Sequence, residues 1–144
     1  MSPLAPLRKK FETDLITLGL LEDYLRESCE ICSKFTSDDL SRQDLREIGA
    51  LSDRFQRAQD FFVVKILRII DMLSGDSGTT LDVLQRAEQR GLIESAEVFL
   101  EMRALRNKIA HEYAGYGPLD IVRDILKYSA ILLDSFARVR ENKS

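Results

Sequence analysis

The stretch RNKIAHEY, Arg106 to Tyr113, holds the chain's one histidine, with two bases ahead of it and a phenol two places behind. An imidazole gives or takes a proton near neutral pH, and a guanidinium can hold a phosphate through two parallel hydrogen bonds. Side chains of these types suit phosphodiester cleavage. They also suit a plainer role, since bases and a histidine in the last turn of a helix oppose the negative end of its dipole. What each group can reach depends on the element that carries it.

On a helix, successive residues turn by about 100°. Asn107 and His111, four apart, therefore share a face with Arg103 one turn earlier, while Arg106 and Tyr113, seven apart, share an adjacent face. Arg106 and His111 stand roughly 140° apart around the axis. A long guanidinium arm or a helix end loosening toward Gly115 can close that gap.

The carrier is a helix expected from about Ser95, with Val98, Met102, Leu105 and Ile109 inward, and ending at AGYGP. The rest of the chain also reads as helix. A first stripe runs through Leu4, Leu7, Phe11, Leu15, Leu18, Leu21, Leu25, Cys29 and Cys32. Ser41 with Asp44 looks like a helix start, and Leu45, Ile48, Leu51, Phe55, Ala58, Phe62, Ile66, Ile69 and Leu73 carry a second stripe. Off that stripe, Phe61, Val63, Val64, Leu67 and Ile70 make its latter half apolar on several sides, as a central helix or a subunit interface requires. SGDSGTT is a capped loop before a short helix that Gly91 closes; it lacks the Gly-Lys-Ser/Thr of a phosphate-binding loop. A last helix is expected from about Pro118 to Arg140. The fold class is all-α, a single domain over residues 1–144, built as a four-to-five-helix up-and-down bundle.

Composition bounds the function. The formal net charge is −3, which argues against a general nucleic-acid coat but leaves room for RNA held by a local basic patch. The longest apolar stretch, FFVVKILRII, is broken by Lys65 and Arg68 and is far shorter than the roughly 20 residues of a spanning helix. No secretory signal is visible at the start, and a cytoplasmic location is expected. Cys29 and Cys32 form a C-x-x-C, yet there is no second pair and no βαβ setting, so reduced thiols on a helix face are expected in place of zinc or redox chemistry. No metal and no cofactor are expected.

RNKIAHEY resembles the R-x4-H-x-Y signature of the HEPN superfamily, and more narrowly that of HepT-like toxins encoded beside a minimal nucleotidyltransferase (MNT) antitoxin. Arg106, His111 and Tyr113 fall on its fixed positions and Asn107 on the polar position after the arginine. Chain length, helix order and the motif's place at the end of the penultimate long helix are also similar to that family.

The resemblance implies a metal-independent endoribonuclease toxin of a type VII-like HEPN/MNT toxin–antitoxin pair, with its site at the interface of a homodimer. Arg106, His111 and Asn107 would be the catalytic set: His111 as base or acid, Arg106 as phosphate clamp, Asn107 as orienting group. One histidine per chain cannot perform both proton transfers at once, and a two-fold pair would supply the second. Attack by a ribose 2′-oxygen would make RNA, not DNA, the substrate. Tyr113 would accept AMP from the cognate nucleotidyltransferase, placing bulk and negative charge beside the site (AMPylation). Tyr116 is a rival acceptor outside the pattern. The alternative is a non-cleaving HEPN protein serving as nucleotide-binding or scaffold partner of a nucleotidyltransferase, to which the acidic pI of about 5.3 lends weight.

Overall fold

The computed structural model describes residues 4–111 and 117–142, and the side chains of all of these except 108–111. Every regular element among them is helical: α1 (Leu4–Cys32), α2 (Arg42–Phe61), a π-helical turn (Phe62–Leu67), α3 (Arg68–Leu73), α4 (Thr80–Gln89), α5 (Ala96–His111) and α6 (Pro118–Glu141). The π turn joins α2 to α3 without a break, so the chain forms an all-α bundle of five rods among the described residues.

Local chemistry sets the helix ends. Ser41 accepts from the Asp44 amide and Asp44 accepts from the Ser41 amide, each at 3.0 Å, which satisfies two orphan donors at the start of α2. Thr79 and Asp82 repeat the device for α4. Gly91 ends α4 with φ of +75°, a conformation that a side chain would strain. Pro118, at the first position of α6, follows Gly117, whose amide donates to Asp120.

α1 packs along α2, and α6 packs against both, while α4 leans on the π turn and α5 on α4 and α2. Phe62 of the π turn is the hub. Its ring lies 5.0 Å from that of Phe136 on α6 and 6.0 Å from that of Phe99 on α5, and all three are fully buried. The π turn admits one more residue than an α turn, so the two lines Phe62–Ile66 and Val63–Leu67 are both buried, which explains an apolar pattern wider than one stripe.

Two expectations need correction. Leu45, placed inward by periodicity, is 47% exposed, because α2 is buried only from Ile48 onward. The buried line of α1 includes Asp14, Glu22 and Ser28, where only apolar residues and cysteines had been expected. Glu22 is tolerated because Arg140 of α6 meets it at 2.6 Å and Arg26 at 2.8 Å, joining the first helix to the last. Asp71 is buried likewise and receives Arg86 and Arg90, which clamps α4 to α3. Unpaired, either carboxylate would be costly at these depths.

Candidate functional site

α5 is held from its first turn. The Ala96 amide donates to Glu88 of α4 at 2.7 Å, and the Val98 amide donates to Ser95 Oγ at 3.2 Å. Ala96, Phe99, Met102 and Leu105 then bury one face. With that face committed to the core, Arg103, Arg106 and Asn107 turn toward the end of α2, where Gln59 and Asp60 precede the π turn.

These residues and Ala104 line a cleft of about 390 Å³. Arg106 Nη1 donates to Asp60 Oδ2 at 3.1 Å. Arg103 Nη1 lies 3.6 Å from Asp60 Oδ1, within ion-pair range but too far for a hydrogen bond. Two guanidinium groups thus share one carboxylate, and the described lining keeps a positive balance despite the acidic chain. Gln59 is 1% exposed, and its Nε2 has no hydrogen-bond partner among the described residues; nor does Arg103 Nη1.

Of the residues singled out by the motif, Arg106 and Asn107 come together in this cleft. The backbone of His111 continues α5 one turn beyond Asn107. The His111 side chain and Tyr113 lie outside the described residues, as does Tyr116. Sequence reasoning missed Gln59 and Asp60. Gln59 had a readable signal, since it stands four residues from Phe55 and four from Val63, a polar residue on an otherwise apolar line.

Asp60 also borders a second hollow of about 450 Å³, whose lining includes Thr17, Leu21, Phe61 and Val64, with Arg57 and Lys65 beside them. Ile16, Leu20 and Tyr24 of α1 recur at four-residue steps and are 72%, 56% and 51% exposed. The polar cleft and this second hollow therefore share Asp60. A larger groove of about 530 Å³, lined in part by Phe11, Ile70, Leu92 and Val139, contains none of the motif residues.

Cys29 is half-buried and Cys32 buried, both as free thiols. Burial pushes the Cys29 thiol up, and burial, helped by the nearby Glu47 carboxylate, pushes Cys32 up to about 11. Cys32 Sγ also donates to the Glu47 carbonyl at 3.4 Å. Among the described residues, no three His, Cys, Asp or Glu side chains are grouped to hold a metal ion, and no helix is long and apolar enough to cross a membrane.

No protein-family model matches the chain, and no significantly similar curated protein is found.

Proposed function

We propose that the chain is a HEPN-type, metal-independent endoribonuclease toxin whose site is completed by a second copy, with the up-and-down helix order of that family. The observation that carries this is the meeting of Arg106 and Asn107 in one positively balanced cleft, on the last described turns of the helix that continues to His111.

In the reaction, one His111 removes the proton of a ribose 2′-hydroxyl and the 2′-oxygen bonds to the adjacent phosphorus. The bond from phosphorus to the 5′-oxygen breaks, and the departing oxygen takes a proton from the second His111. The products are a 2′,3′-cyclic phosphate and a 5′-hydroxyl. Arg106 bears the charge gathering on the phosphate oxygens, and Asn107 orients the phosphate or the imidazole. The exposed apolar residues of α1, and the hollow that shares Asp60 with the cleft, support pairing of two copies. For neutralisation, a partner nucleotidyltransferase joins the Tyr113 hydroxyl to the α-phosphorus of ATP and releases pyrophosphate. The added AMP then opposes the RNA backbone by charge and bulk.

A second reading, a non-cleaving nucleotide-binding or scaffold partner, is favoured by the Asp60 carboxylate that already engages Arg106. Expression of the chain alone in a bacterium separates the two. Growth arrest and cyclic-phosphate RNA ends, reproduced by purified protein in the presence of chelator and abolished by His111→Ala, are expected. Cleavage that persists in His111→Ala would remove the mechanism.

A further inference from the structure

Four buried side-chain atoms have no hydrogen-bond partner among the described residues: Asp14 Oδ2, Gln59 Nε2, Arg103 Nη1 and Ser129 Oγ. Two of the four, Gln59 Nε2 and Arg103 Nη1, belong to residues lining the same cleft. Both are donors. A buried donor without an acceptor costs the desolvation of that group, and two such costs in one place point to an acceptor that the described residues do not supply. Asp60 does not serve, because Arg106 takes one of its oxygens at 3.1 Å and the other stays 3.6 Å from Arg103.

We propose that Gln59 and Arg103 form a phosphate-binding position beside Arg106, taking a backbone phosphate next to the one that is cleaved. That the ligand is part of an RNA strand rests on the ribonuclease function proposed above; the preference for an oxyanion does not. The two unpaired atoms, an amide N–H and a guanidinium N–H, offer hydrogen bonds and no lone pairs, which favours an oxyanion over a cation. A phosphate oxygen carries several lone pairs and can accept from both residues at once. The local charge agrees, with Arg103 and Arg106 set against Asp60 among the described lining residues. Gln59 also stands on the last turn of α2, immediately before the π turn, so it is held by the core and not by a loop. Gln59 and Arg103 are binding residues that fix the strand's register; the proton transfers stay with His111.

The probes are inorganic phosphate and a short single-stranded RNA with 2′-O-methyl groups throughout, which cannot be cut. Wild-type protein is expected to bind both, with the oligonucleotide affinity falling as salt rises. Gln59→Met keeps the side-chain volume and removes the donor. It is expected to weaken both ligands about tenfold, as is Arg103→Gln, while Gln59→Glu abolishes binding by like charge. The thermal midpoint of Gln59→Met is expected at or above wild type, since an unpaired polar atom leaves the core, so weaker binding is not a folding defect. In cleavage assays the same variant raises KM with the smaller effect on kcat. Wild-type-like binding by Gln59→Met and Arg103→Gln, or no binding by wild type, overturns the proposal. Phosphate binding that depends on both residues, in a protein that cuts no RNA, would leave this position standing and remove the ribonuclease function. RNA cleavage with binding indifferent to both residues would do the reverse.

Discussion

Arg106 of α5 and Asp60 of α2, forty-six positions apart in the chain, are joined by a hydrogen bond of 3.1 Å at the mouth of the polar cleft. The guanidinium proposed to hold the cleaved phosphate is therefore already engaged by a carboxylate. Asp60→Asn should free it. Asp60 is half-exposed, and pairs of that kind contribute up to about 1 kcal/mol, so an uncleavable RNA should bind about two- to fivefold tighter. Fluorescence anisotropy against salt measures this. Weaker binding would show that Asp60 positions Arg106 instead of competing for it.

The buried carboxylates set the acid limit of the fold. Burial raises the pKa of Glu22, but its hydrogen bonds with Arg140 and Arg26 outweigh burial and hold it below the usual range; Arg86 and Arg90 do the same for Asp71. A group with a depressed native pKa binds its proton more tightly when unfolded. The stabilisation is thus complete above the ordinary carboxylate pKa of about 4 and is lost as pH falls through the lower native values. Urea midpoints should be level from about pH 7 to 5 and drop below about pH 4. Asp71→Asn should cost about 3 kcal/mol at neutral pH, near the lower end for breaking a buried ion pair because both arginines keep some contact with water. It should also shrink the acid dependence. A midpoint unchanged down to pH 3 would refute the assignment.

Tyr113→Phe separates acceptor from catalyst. The substitution removes the only atom of that side chain that could carry AMP and keeps the ring, so fold and RNA cleavage should survive. With the partner nucleotidyltransferase and ATP, the wild-type protein should gain mass in AMP steps and lose activity after the partner is removed, whereas the variant should gain none and stay active. Modification of the variant would shift the acceptor to Tyr116. A wild-type protein never modified by its partner would end the adenylylation proposal.

With both thiols pushed above their ordinary range, Cys29 and Cys32 should react slowly with a disulfide reagent at neutral pH until the chain is unfolded. Replacing both by serine should leave RNA cleavage within about twofold while lowering stability by about 1–2 kcal/mol, since Cys32 is fully buried. Loss of cleavage in a folded double variant would return redox or metal chemistry to consideration.

The amino-acid sequence by itself determined the helices and their ends, because those depend on neighbours in the chain. Ser41 and Asp44 cap each other, as do Thr79 and Asp82, and Gly91 and Pro118 stand where the periodicity stops. It also marked Arg106 and Asn107 by local pattern. What only the tertiary structure decided was which helix each face meets. A period of about 3.6 residues says that one side of α2 is buried, yet not that Gln59 and Asp60 will face Arg103 and Arg106. Nor could it foresee that Arg140 and Arg86 would offset buried Glu22 and Asp71. The π turn, too, escaped local reading: the wide apolar run around Phe62 and Val63 was legible, but not the extra residue per turn with which it is wound.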